Sequence, residues 1–238
     1  PSPADPTDWL LPDPTSEPPH APWLQLLFVQ DNRAELEACG CPGSPTGGMA
    51  RRATFVRSLR QLLPQAVLVE GPNSLSRAIL GVEEIRGEDR ARARLLVELL
   101  AQARPDAFFP GQADLAVMPP EELARRADFP IVVSNLVRPV PGIEDHWLLE
   151  VEGRRVLLLG LLRPALNEAT RSALPLRPGP AAAAALRARV EAADGPVDAV
   201  VAFTDAGLRD ARRWLEEGLD VDVLVVPPAP GDDREAFW

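Results

Sequence analysis

Between residues 24 and 226 the chain alternates short, continuous apolar runs with helix-periodic segments, and this alternation confines it to one class of fold. Leu24–Val29, Ala66–Val69, Asp106–Phe109, Ile131–Ser134, Val197–Phe203 and Val221–Val226 read as strands, most of them apolar enough for burial on both faces. Met49–Leu63 places Ala53, Val56, Leu59 and Leu63 on one helical face, and Asp89–Ala103 does the same with Ala93, Leu96, Val97 and Leu100. Further helices are expected at Pro119–Ala127, Pro180–Ala193 and Leu208–Glu217. Trp147–Val151 and Arg155–Leu161 flank Glu152-Gly153-Arg154, which reads as a hairpin turn. Strands alternating with helices give a layered α/β domain with helices on both sheet faces, and the hairpin makes its sheet mixed. Residues 1–23, rich in Pro and acidic groups, read as an extended leader, and residues 227–238 as a surface tail.

Composition removes several kinds of chemistry. With 35 acidic against 25 basic residues the formal charge is -10, so nucleic acid and anionic lipid surfaces are not expected partners. Lys and Tyr are absent, which excludes Schiff-base catalysis and a lysine phosphate anchor. The two histidines are His20, in the leader, and His146, in an expected turn. No apolar stretch reaches the roughly 20 residues of a membrane span. The leader resembles the start of a processed exported or lipid-anchored protein, although a chain trimmed to the domain would look the same.

Sulfur is confined to Cys39–Leu59, CGCPGSPTGGMARRATFVRSL, apart from Met118. Both cysteines, Cys39 and Cys41, lie there two residues apart, and Gly43–Gly48 is expected to be loop. Three readings of the pair stay open: a strained, reducible disulfide, a pair of thiolates for a soft ion such as copper(I) or zinc, or a loop staple without chemistry. Haem attachment is excluded, since no Cys-x-x-Cys-His occurs. Arg51 and Arg52 open the following helix, where they would favour an anion or a thiolate, or simply be solvated.

Gly47-Gly48-Met49-Ala50-Arg51-Arg52-Ala53-Thr54, Phe129–Leu136, Val151–Val156 and Val197–Ala202 occur in the order and at the spacing of motifs in the calcineurin-like metallophosphoesterases. Over residues 24 to 226 the chain resembles that family, in the branch of the periplasmic 5′-nucleotidases. The resemblance implies an α-β-β-α sandwich with mixed sheets. It also implies positions for two metal ions, and at those positions the ligands are missing. Asp31 stands at the first, but Arg33 replaces a His. Asn73 replaces the bridging Asp. Gln112 and Ala113 replace an Asn-His pair ahead of Asp114, and Asp205 replaces a further His. The last motif falls near Val226–Ala229, which has nothing able to ligate, and a counterpart of the branch's C-terminal substrate domain is not expected in these 238 residues.

No dinuclear centre is therefore expected; with two histidines in the chain, a hydrolase of this type lacks its imidazoles. Arg33 beside Asp31, with Asp114 and Asp205 near in the implied fold, would replace the lost metal charge by ion pairs, or else would be a solvated surface Arg. Asn135 reads as a turn residue, and Trp214 as core.

An extracytoplasmic branch of the family carries a Pro-Cys-Gly-Cys loop ahead of its Gly-Gly, in some members beside multihaem cytochromes. Ala38-Cys39-Gly40-Cys41 is similar to it, with Ala38 in place of Pro. The expectation is a catalytically degenerate, extracytoplasmic (periplasmic or surface-lipoprotein) member, with thiol redox or soft-metal chemistry at Cys39 and Cys41. The alternatives are a non-enzymatic interaction subunit with a protein partner in the cell envelope, and a residual phosphoesterase.

Overall fold

The computed structural model describes residues 24–37, 39–41, 44–46, 48–77, 84–164 and 172–227. The leader expected at 1–23, and the expected tail beyond Pro227, lie outside the described residues. One sheet holds β1 (Leu26–Val29), β4 (Val67–Glu70) and β5 (Ala107–Phe108), all parallel, in the order β1-β4-β5. A second sheet orders β6 (Trp147–Val151), β7 (Arg154–Leu161), β8 (Ala199–Thr204) and β9 (Val223–Val225) in sequence. Its β6–β7 pair is antiparallel and the other two pairs are parallel. The hairpin between β6 and β7 turns at Glu152 and Gly153, both at positive φ (51° and 75°), the backbone of a tight two-residue turn.

Period-two alternation explains the layering. Val69, Ala107, Phe109, Val156, Leu158, Val201 and Phe203 form one buried cluster to which both sheets contribute. The rings of Phe28 and Phe109 pack on Phe203 with centroids 5.1 and 4.4 Å away. The intervening residues face outward. Leu157, Leu159, Leu161, Val200 and Ala202 pack with α5 (Gly179–Asp194) and α6 (Leu208–Glu216), where Trp214 is buried, as core. On the first sheet, Phe108 packs with α1 (Met49–Leu62), α2 (Gly87–Ala103), α3 (Gln112–Val117) and α4 (Pro120–Arg126). The result is helix, sheet, sheet, helix, the layered mixed architecture expected from the sequence. Each fully buried Leu or Phe in these clusters contributes on the order of 2 kcal/mol.

Local chemistry sets the helix ends. Gly48, at φ 86°, turns the chain into α1 in a conformation that other residues resist. Asp89 Oδ2 accepts the Arg86 N–H at the start of α2, and Glu88 and Asp89 oppose the helix dipole there. α4 starts on Pro120, whose fixed φ suits a first helical position.

The structure corrects the sequence reading in three places. Within the expected loop at Gly43–Gly48, Ser44–Thr46 is a strand (β3) paired antiparallel with β2 (Cys39–Cys41). Ile131–Ser134 forms isolated bridges, Phe108↔Ile131 and Val132↔Glu144, rather than a continuous strand. α3 was not expected; at six residues it is too short to show a helical period.

Candidate functional site

In both sheets the parallel strands deliver their C-terminal ends to one edge, and the loops leaving them are stitched together there. After β1, the Asp31 N–H donates to the Pro72 carbonyl (2.9 Å), Arg33 N–H to Asn73 (2.8 Å) and Ala34 N–H to Ser74 (3.1 Å). These bonds hold Asp31, Arg33 and Ala34 in the left-handed region, at φ 56°, 45° and 55°. Asn73, at φ 62°, adopts the same conformation, which asparagine tolerates better than most residues.

Two buried carboxylates close the junction. Asp114 accepts backbone N–H groups from Asn73 (2.8 Å), Leu75 (2.7 Å) and Gly111 (2.8 Å), so it joins the loop after β4 to the start of α3. Asp205 accepts the Gln112 N–H (2.8 Å) and the Arg163 N–H (2.7 Å), which joins the loops after β5, β7 and β8. Gly111 sits where these loops meet: a Cβ there would stand 3.0 Å from Asp205 Cβ and 3.1 Å from Pro72 Cβ. Burial pushes the Asp114 carboxyl up to about 7, against the three amides that favour its charged form. Burial also raises Asp205, opposed by the Arg163 and Gln112 amides.

The remaining positions are committed in the same way. Arg33 Nε lies 3.1 and 3.0 Å from the two Asp31 oxygens and Nη2 3.0 Å from one of them, so Asp31 is the carboxylate it pairs with. Of the two readings of Arg33, the ion pair is the one the geometry has, with Asp31; Asp114 and Asp205 accept backbone amides, and Arg163, absent from the sequence candidates, lies 3.8 Å from Asp205. Gln112 donates through Nε2 to the Arg163 carbonyl. Ala113 is buried and has no donor atom. Asn135, expected as a turn residue, donates to the carbonyls of Leu162 (2.8 Å) and Arg177 (3.1 Å) and accepts the Leu162 N–H (3.0 Å).

Of the readings open for Arg52, solvation is the one that fails: its guanidinium serves an internal anion, forming a two-pronged pair with Glu70, whose side chain is wholly buried and which also accepts the Ser74 hydroxyl. Glu70 is the last residue of β4. Nothing near it in the sequence signals the partner, which comes from the first turn of α1. Arg51 is exposed. Away from this edge, His146 meets Asp145 at 2.7 Å, and Arg189 also pairs with Asp145. Cys39 and Cys41 occupy alternate positions of β2, opposite Thr46 and Ser44.

A dinuclear metal centre does not fit these residues. The oxygens of Asp114 and Asp205 each accept backbone donors, Asp31 faces Arg33, and among the described residues no imidazole stands with them. Among the described residues, no three His, Cys, Asp and Glu side chains form a group able to hold a metal ion. Nor is any described helix long and apolar enough to cross a membrane.

No protein-family model matches the chain, and no curated protein matches it. Solved structures do. A 5′-nucleotidase precursor from Thermus thermophilus is 20% identical with a TM-score of 0.61, over 80% of this chain and 38% of that one. The calcineurin-like phosphoesterase YfkN from Bacillus subtilis is 16% identical (TM-score 0.62; 85% of this chain and 71% of that one). The sulfate thiohydrolase SoxB from Thermus thermophilus is 14% identical (TM-score 0.67; 89% and 49%). At these identities the likeness is one of fold. The chain has the calcineurin-like phosphoesterase fold and spans 38% of the length of the 5′-nucleotidase precursor.

Proposed function

We propose that this chain is a catalytically degenerate, extracytoplasmic protein on the calcineurin-like phosphoesterase fold, and that its chemistry lies in the Cys39–Cys41 ribbon. The observation that carries the reading is the commitment of the strand-end carboxylates to internal bonds. Three of the roughly four lone pairs of Asp114 and two of those of Asp205 are engaged by backbone donors, with which a metal ion would have to compete. Buried amides left without an acceptor cost about 1–3 kcal/mol each, which weighs against hydrolysis at this edge.

At the ribbon, backbone spacing bears on the open alternatives. Residues two apart in a strand lie on one side of it, with Cα atoms about 6.6 Å apart. That is the long end of the disulfide range, about 4.4–6.8 Å. An extended β2 therefore favours two thiolates sharing a soft ion, copper(I) or zinc, over a disulfide closed across Gly40. Such an ion would take its other ligands from solvent or from a partner in the cell envelope.

The test is copper(I) titration against a chromophoric competitor, together with a free-thiol count. One tightly held ion per chain and two titratable thiols are expected, and a Cys39→Ser, Cys41→Ser double variant should lose the ion. Undiminished uptake by the double variant, or no uptake by the reduced protein, overturns the reading. Manganese- or zinc-dependent hydrolysis of an aryl phosphate would overturn the assignment of degeneracy.

A further inference from the structure

α6 buries Ala211 and Trp214 and leaves a second stripe uncovered. Leu208, Arg212 and Leu215 recur at helical spacing, so they share one flank, and both leucines are exposed there, at 51% and 50%. Trp214 marks the other flank, since a Cβ on Gly179, at the start of α5, would meet its ring at 3.2 Å. The chain leaves β8 for α6 and returns as β9, the last strand of its sheet. The flank turned away from α5 is therefore the one beside that open edge. Leu208, Arg209, Arg212 and Arg213 line one shallow hollow on the helix, with Glu216 as its single acidic residue. Arg213 pairs with Asp210 at 2.9 Å, whereas Arg209 and Arg212 make no ion pair among the described residues.

The segment that follows β9 suits this surface in charge, in apolar content and in reach. Residues 228–238 hold Asp232, Asp233 and Glu235 against Arg234 alone, and Phe237 and Trp238 come after them. Val225, the last residue of β9, pairs with Phe203, and α6 begins shortly after that strand, at Leu208. The chain thus leaves β9 beside the first turn of α6. Eleven residues can extend about 36 Å, while a nine-residue helix is about 14 Å long. Followed down the helix, the two aspartates come level with Arg209 and Arg212, and the aromatic pair reaches on to Leu215. The leader also carries acidic residues around Trp9, Leu10 and Leu11, but it joins β1 at the opposite edge of the sheets.

We infer that residues 228–238 dock on this flank of α6, with Asp232 and Asp233 on Arg209 and Arg212, and Phe237 and Trp238 over Leu208 and Leu215. The surface is separate from the Cys39–Cys41 ribbon and stands or falls independently of the function proposed for it. The test is relaxation of the Leu208 and Leu215 methyls by a neutral, soluble gadolinium chelate, read by NMR on the full chain. Both should be shielded in the wild type and exposed in a Phe237→Ala, Trp238→Ala double variant, with buried Leu157 of β7 as the control for folding. An Arg209→Glu, Arg212→Glu double variant, which alters exposed residues only, should expose them too. Adding Asp232→Arg and Asp233→Arg to it should restore the shielding. If the wild type relaxes as fast as the Phe237→Ala, Trp238→Ala variant, the segment does not dock. If shielding survives that variant but is lost in Trp9→Ala, Leu10→Ala, the leader is the occupant. If shielding fades on dilution, the occupant is a second copy of the chain. Each of these three results overturns the inference.

Discussion

Replacing Arg52 by methionine should destabilise this protein more than any other single removal of a surface-helix charge. The Glu70 side chain is entirely buried and that of Arg52 is 11% exposed, so the pair lies far from bulk solvent. Arg52 Nη1 is 3.1 Å from one Glu70 oxygen and Nη2 meets the other. Removing one partner leaves Glu70 with the Ser74 hydroxyl alone among these contacts, and the expected loss is about 3–5 kcal/mol. An exposed pair such as Arg94–Glu122 would lose far less. Urea unfolding of wild type, Arg52→Met, Glu70→Gln and the double variant measures the difference as a cycle. The double variant should regain most of the loss, because it buries no charge, and the coupling should be about 2–3 kcal/mol. A loss below about 1 kcal/mol for Arg52→Met, with additive single variants, would refute the claim that this pair is effectively desolvated.

Further expectations concern the strand-end edge. The folded Asp114 carboxyl lies at about 7 against 3.8 for the free group, so its contribution to stability is fully present below pH 4 and is lost as pH rises through 7. Relative to Asp114→Asn, wild type should therefore lose stability between pH 4 and 8, by up to about 4 kcal/mol at about 1.4 kcal/mol per unit. Denaturant melts of both proteins across that range check the sign; a wild type that instead gains relative to the variant would mean that its three amide donors outweigh burial. Gly111→Ala should cost about 1–3 kcal/mol in urea melts, because the new methyl meets Asp205 and Pro72 at about 3 Å in a junction with little room. Asn135→Ala should cost about 2–4 kcal/mol in the same assay, since the Leu162 N–H and two carbonyls lose their partner.

What could be read in the sequence follows the range of the interactions. The strands at Val67–Glu70 and Ala199–Thr204 are apolar runs, visible because burial acts on each residue alone. The positions at the strand ends could be located through the family resemblance, and Asp31, Asn73, Gln112, Asp114 and Asp205 do gather at one edge. Their partners could not be read. Asp114 binds amides 39 and 41 residues away, and Asp205 binds one 93 residues away. A backbone N–H has no side-chain identity that would betray its acceptor. Arg52 could be named as a candidate but not paired, because Glu70 escaped notice in an ordinary place, a strand end.

The same bonds bear on why this edge has the residues it has. A metal ion between loops and two carboxylates between loops do the same mechanical work: each joins strand ends that are remote in sequence. Asp114 ties the β4 loop to α3, and Asp205 ties the β5 loop to the residue after Leu162. Each carboxylate spends both oxygens on backbone donors, and of its roughly four lone pairs Asp114 has three engaged and Asp205 two. For these residues, bracing the fold limits the directions left for ligating a metal. Arg33→His and Ala113→His would therefore place imidazoles beside carboxylates already oriented by the amides that close the junction, and Asp205 would be the freer of the two to share.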